Sequence, residues 1–253
     1  MAHGPHGRPS GRRRWLIAGG WSVLLALPVT PGIAQPGRKG KDSGKDGGRS
    51  RIGVIGSGKI GGTVGGLWVR AGHPVMFSSR HPESLKPLVD GLGPLAQAGT
   101  VAQAVAFADV LLLAVPYGAV PEVGQQNNWK GKIVLDATNA IAGRDGAVVD
   151  EVKANGIGAT TAKYLPGARV VRAFNFTSAG DFARESHRKP PLMAVPLAGN
   201  DAEALMVASA LVREAGFDPV VVGGLSTADR FAPGGKLFRQ AGTAEEFRRA
   251  MAE

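Results

Sequence analysis

The chain has 253 residues, 43% of them hydrophobic, which is enough for one large domain or two small ones with an ordinary core. Its net charge of +10 is unevenly spread: residues 1–51 hold ten Lys/Arg against two Asp, and residues 52–253 hold twenty Lys/Arg against eighteen Asp/Glu. A nearly neutral globular part argues against nucleic-acid binding, and the absence of cysteine excludes disulfides, thiolate nucleophiles and Cys-ligated metal sites.

Residues 1–34 have the pattern of a targeting segment. Arg12, Arg13 and Arg14 stand before an apolar run from Trp15 to Val29, and small residues follow at Gly32 and Ala34. The Arg12-Arg13-x-Trp15-Leu16 spacing is that of a twin-arginine signal. About fifteen apolar residues fall short of the roughly twenty that span a bilayer. A cleaved signal is therefore expected, with export to the periplasm or beyond, and an uncleaved anchor is the alternative. Residues 35–50, "QPGRKGKDSGKDGGRS", have no large apolar side chain and read as a flexible linker.

Folded structure is expected from Arg51. The apolar run Ile52–Ile55 is followed at once by Gly56-x-Gly58-x-x-Gly61 and then by Val64, Leu67, Trp68 and Ala71 at helical spacing. Strand, glycine turn and helix in this order form a dinucleotide-binding fingerprint. Gly56 permits the tight turn, Gly58 lets a pyrophosphate approach the backbone, and Gly61 lets the helix pack close to the strand. The N–H groups at the start of the helix then face the anion. Gly62, Gly65 and Gly66 are expected to serve close packing against a sheet.

The second strand, "HPVMFSSR", ends at Arg80, 24 residues after Gly56, with no Asp or Glu between them. In the NAD form of this fold an acid about 20 positions beyond the glycines binds the ribose 2′-OH. A carboxylate would repel a 2′-phosphate, whereas Arg80 offers a charge-assisted contact and Ser78 or Ser79 further donors. The strand end therefore predicts NADP. Of the five histidines, His73 follows Gly72 at a helix end and is expected to cap or turn the chain there.

Further strands are expected in 108–119, 132–140, 168–176 and 191–199, then a helix from Asn200 or Asp201 to Gly216, then the strand "FDPVVVGG". The alternation predicts an α/β, Rossmann-type doubly wound, mostly parallel sheet with helices on both faces. Ligands of such sheets sit beyond the carboxyl ends of the strands, which collects Val115, Pro116, Tyr117, Asn139 and the 175–179 loop around one crevice. The expected organisation is a leader at 1–34, a linker at 35–50, one Rossmann domain at 51–225 and a C-terminal extension at 226–253.

The segments "IGVIGSGKIG", "FSSR", "LAVPYGA", "LDATN", "VRAFN", "AGNDAEA" and "GFDPV" together resemble the NADPH-dependent reductases of the deazaflavin coenzyme F-420 and their dinucleotide-binding relatives. The resemblance runs from about Arg51 to Leu225. It implies that Ser57, Gly58, Lys59 and Ile60 line the pyrophosphate and that Ser79 and Arg80 hold the 2′-phosphate. It also implies that Val115, Tyr117, Asn139 and Ala179 approach the ribose and nicotinamide. The C-terminal end, "LSTADRFAPGGKLFRQAGTAEEFRRAMAE", departs from the apolar final helix of the characterised deazaflavin reductases.

The function expected is hydride transfer between NADP(H) and a deazaflavin, flavin or other small acceptor. A non-catalytic NADP-binding or sensor module is the alternative. No metal is expected, and no catalytic acid or base is assigned, because the cofactor carries the chemistry. Asp136 is as well suited to capping as to orienting a ligand. Phe231, Leu237, Phe238, Phe247 and Met251 are expected to dock the tail over or beside the nicotinamide crevice or against a second subunit, a homodimer being one such arrangement. A chain ending at Leu225 is then expected to keep NADPH binding through the glycine turn and Arg80 but to lose hydride transfer.

Overall fold

The computed structural model describes Met1 and residues 48–252. The leader expected over 1–34, and the linker over 35–50 apart from its last three residues, lie outside the described residues. Within the rest the chain alternates β1 (Ile52–Ile55), α1 (Lys59–Arg70), β2 (Val75–Ser78), α2 (Lys86–Leu92), β3 (Ala96–Gly99) and α3 (Val101–Phe107). It continues through β4 (Val110–Leu113), α4 (Val120–Gln125), β5 (Ile133–Asp136), α5 (Val148–Asn155), α6 (Ile157–Tyr164) and β6 (Arg169–Arg172). The last elements are α7 (Ala179–Glu185), β7 (Ala194–Gly199), α8 (Ala202–Glu214), β8 (Asp218–Gly223) and α9 (Ala244–Ala252).

The strands form one sheet in the order β3-β2-β1-β4-β5-β6-β7-β8, parallel throughout except where β6 meets β7. Ile52 is in register with Val75 on one side and Val110 on the other, so β1 is the centre from which the chain winds outward in both directions. That reversal lies between β1 and β4, the place where such sheets bind nucleotides. Every residue of β1, β4 and β5 is buried, which is why these strands read as continuous apolar runs rather than alternating ones. The strand β3, "AQAG", was not expected from the sequence: it is a four-residue edge strand with two exposed positions and no β-branched residue.

The helices cover both faces, and one layer is bound together by aromatic edges. Trp68 on α1 donates its indole N–H to the Leu211 carbonyl of α8 at 2.8 Å and meets Phe174 edge-on at 5.7 Å. Phe174 in turn meets Phe182 and Phe217. His73 is buried, with Nδ1 at 2.9 Å from the Ser50 carbonyl oxygen and Nε2 at 2.7 Å from Glu214, which is a turn-fixing role.

Apolar side chains of the extension expected at 226–253 pack into the domain. Phe231, Leu237 and Phe247 are buried in the same core as the sheet. Phe247 packs edge-on against Phe176 at 5.9 Å, the Arg239 N–H donates to the Phe176 carbonyl, and the Ala194 N–H donates to Gly242. The helix α9 lies against β7 and β8, while a 3-10 segment at Leu225–Phe231 reaches the ends of β6 and β7. Among the described residues no helix is long and apolar enough to cross a membrane.

Candidate cofactor-binding site

The glycine turn is built by close approach. Gly56 has φ +93°, and a Cβ there would stand 2.7 Å from the Ala114 carbonyl oxygen and 2.8 Å from Val115 Cγ1. A Cβ on Gly61 would overlap the Gly56 carbonyl itself, so α1 can lie this close to β1 only with glycine there. Gly58 differs: nothing lies within 4 Å of its added Cβ, so the space above it is open. Gly58 is also the N-cap of α1 and brings no side-chain cap, and the first turn of α1 has no acidic residue. The N–H groups of that turn have no intrahelical partners and keep their attraction for an anion. Of the three further glycines, Gly65 packs on Phe77 and Gly66 on Leu92 of α2, whereas Gly62 makes only ordinary contact.

The end of β2 divides its three polar residues between structure and site. Ser78 is fully buried and donates its hydroxyl to the Val54 carbonyl at 2.8 Å, while its own carbonyl accepts from the Ser57 hydroxyl at 3.1 Å. Ser78 is therefore spent on pinning β2 and the glycine turn to β1, and the expectation that it donates to a phosphate is corrected. Ser79 is half-buried, and its oxygen accepts from the His81 N–H at 3.1 Å, which leaves its hydroxyl proton to give. Arg80 is exposed and makes no ion pair or hydrogen bond among the described residues.

These groups border one cavity of about 510 Å³. Gly56, Ser57 and Gly58 line it from the turn after β1, Ser78, Ser79 and Arg80 from the end of β2, Val115 and Pro116 from the loop after β4, and Glu122, Val123 and Gln126 from α4 and its C-cap. Its volume is in the range of small-molecule and cofactor sites. An adenine dinucleotide carrying a 2′-phosphate fits the donor set: an open backbone turn, a helix start and an unpaired guanidinium. Lys59 is exposed and Ile60 half-buried at the first turn of α1, whose backbone N–H groups have no intrahelical partner.

Tyr117, Asn139 and Ala179 do not line this cavity. Tyr117 is fully buried with its hydroxyl 3.1 Å from Thr161 Oγ1, and burial pushes its phenol well above the usual range, so the side chain stays protonated and engaged with Thr161 inside the fold. Asn139 lies past the end of β5; its amide donates to the Asn175 carbonyl at 2.6 Å and its oxygen accepts from the Asn175 amide at 3.2 Å. Ala179 opens α7, behind the Ser178 cap. The segment after Asn139 is held by Asp145, for which burial alone would raise the pKa. Hydrogen bonds from Arg144, Ile141 and Gly118 outweigh it and hold the carboxyl below its ordinary value.

Beneath Asn139 lies a network that sequence reasoning missed. Arg172, at the end of β6, is fully buried and pairs with the fully buried Asp136 at 2.6 Å. Asp136 also accepts from the N–H of Thr138 at 2.9 Å and from its hydroxyl at 2.6 Å, and Arg172 donates to the Thr138 carbonyl at 2.7 Å. Asp136 thus has a structural role, fixing the turn that carries Asn139. An arginine inside an apolar strand, "RVVR", next to a strand ending in Asp was the available signal.

Residues 51–140 match the family model of NADP oxidoreductases, coenzyme F420-dependent. Protein SMa0349 from Sinorhizobium meliloti is 30% identical, over 77% of this chain and 95% of that one, with a TM-score of 0.67. An Arthrobacter sp. FB24 protein classed as an F420-dependent NADP-reductase is 24% identical over 71% of this chain and 87% of its own, with a TM-score of 0.59, a likeness of fold. Metalloreductase STEAP3 of Rattus norvegicus is 28% identical over 186 residues, which are 70% of this chain and 35% of that protein. The chain thus spans about a third of the length of that curated relative. With the glycine turn, the acid-free end of β2 and the β4 loop all inside the matched segment, the chain belongs to the coenzyme F420-dependent NADP oxidoreductase family and is an NAD(P)-dependent oxidoreductase.

Proposed function

We propose that the protein transfers hydride between NADP(H) and a small organic acceptor of the deazaflavin or flavin kind, and that it does so after export. The observation that carries the cofactor choice is the unpaired Arg80 guanidinium at a strand end with no carboxylate between it and the glycine turn. Bound there, the reduced nicotinamide supplies the hydride; the chain supplies placement and electrostatics. Arg80 and Ser79 hold the 2′-phosphate, and the start of α1 holds the pyrophosphate. The Asn139–Asn175 pair, stiffened by Arg172 and Asp136, borders the nicotinamide end. A second cleft of about 340 Å³, lined by Ala140, Val149, Lys153, Ile157, Asp229 and Pro233, begins one residue past Asn139 and is the space offered to the acceptor.

Calorimetric titration of the wild type is expected to show tighter binding of NADPH than of NADH. Arg80→Ala should weaken NADPH about ten- to a hundredfold, the cost of losing a hydrogen bond to a charged group, and leave NADH nearly unchanged. Equal loss for both cofactors would remove the 2′-phosphate from Arg80. Export is supported by Arg12, Arg13 and the apolar run behind them. Changing both arginines to lysine should leave precursor in the cytoplasm, and the exported wild type should begin near Gln35 by N-terminal sequencing.

A further inference from the structure

Past the glycine turn and Arg80, the same cavity is lined by Leu85, Val101 and Val123 together with Glu122 and Gln126. Leu85 is buried and the two valines are half-buried, which gives apolar sides for a flat ring. Glu122 and Gln126 stand one turn apart at α4 and are exposed, at the solvent side of the cavity. The Gln126 amide donates to Glu122 Oε1 at 3.0 Å, which orients the carboxylate and leaves Oε2. Glu122 has no ion pair among the described residues. A lone carboxylate lining a cavity that receives a polyanion is unfavourable unless it meets a donor. The two phosphate positions are accounted for by α1 and Arg80. The part of the dinucleotide left for this wall is the adenine base, whose exocyclic amine is a donor.

We propose that Glu122, oriented by Gln126, accepts a hydrogen bond from the exocyclic amine of adenine and makes the cavity select an aminopurine over an oxopurine dinucleotide. The proposal rests on NADPH occupying this cavity. In the hypoxanthine analogue an oxygen replaces the amine and the donor on that edge moves to the ring N1–H, so a carboxylate held by Gln126 against the exocyclic position loses its hydrogen bond and faces an oxygen. At a solvent-open rim the discrimination is expected at about tenfold, the lower end for a hydrogen bond to a charged group.

The test titrates the full chain with NADPH and with its deaminated hypoxanthine analogue, for the wild type, Glu122→Ala and Glu122→Gln. The wild type should prefer NADPH about tenfold. Glu122→Ala should bring the ratio to about one, with the melting temperature unchanged because the side chain is exposed. Glu122→Gln, which can present either its carbonyl or its amino group, should bind both within about threefold. Equal wild-type affinities, or a ratio that survives Glu122→Ala, would overturn the proposal. Failure of the wild type to bind either compound would remove NADPH from the cavity and the proposal with it, an outcome distinct from equal binding.

Discussion

Gly58 and Gly61 belong to one fingerprint but do opposite work, and alanine separates them. At Gly58 the backbone has φ −74°, which any residue adopts, and the space beyond is empty of protein. Gly58→Ala should leave stability within about 0.5 kcal/mol while placing a methyl group where a pyrophosphate must come close, with NADPH affinity falling at least about tenfold. Gly61→Ala forces α1 away from the Gly56 carbonyl and Val54, and overpacking of this kind costs about 1–3 kcal/mol before any ligand is added. Urea unfolding and NADPH titration of the two variants check the contrast. If both lost stability equally, the open space above Gly58 would not be the ligand's. The spacing of the glycines was plain in the sequence; which one touches protein and which faces the cavity depends on how α1 packs back on Val54 of β1 and the Gly56 carbonyl.

Among the elements, α8 shows how one residue serves both a helix and the sheet beside it. Asp201 caps α8 by accepting from the Ala204 N–H at 2.9 Å and pairs with Arg169 of β6 at 2.6 Å. The Arg169 hydrogen bond first, and the Ala204 N–H second, push its carboxyl from 3.8 down to about 2. Since the folded value is the lower one, the unfolded chain takes up the proton first as pH falls. The stabilisation is therefore complete above about pH 3.8 and is lost as pH drops toward about 2. Asp201→Asn keeps a capping oxygen but has no charge to lose. The melting temperature of the wild type should fall more steeply than that of the variant across this window, and parallel curves would remove Arg169 as the cause. The cap was readable from "GNDAEA", but the partner 32 positions earlier was not. Nor was β3, whose "AQAG" lacks the apolar and β-branched pattern that marks the inner strands.

At the scale of the whole molecule, Phe231, Leu237 and Phe247 complete the core. Phe247→Ala should cost about 3–5 kcal/mol, a large part of the roughly 5–15 kcal/mol that holds a domain together. It removes the edge contact to Phe176, and Phe247 does not line the cofactor cavity. The folded variant should therefore bind NADPH as the wild type does while its urea midpoint drops. A chain ending at Leu225 loses Phe231, Leu237 and Phe247 from the core together, at about 1.5–3 kcal/mol each, and should fail to fold. That replaces the expectation of a truncated chain that still binds cofactor. Sharp dispersion for such a truncation in a proton NMR spectrum would show the tail to be dispensable.

The alternation of strands and helices, the glycine turn and the acid-free end of β2 were available from residue order because each depends on its own backbone and nearest neighbours. A glycine's steric freedom, a missing carboxylate and an apolar period keep their meaning wherever the chain goes. The roles of Ser78, Tyr117 and Asp136 did not keep theirs. Ser78 gives its hydroxyl to a strand 24 positions earlier, Tyr117 turns inward to Thr161 44 positions later, and Asp136 meets Arg172 36 positions on. The fate of a polar side chain, whether buried and consumed or open to a ligand, is set by what packs opposite it, and residues opposite each other across a parallel sheet are separated in sequence by at least one crossover helix.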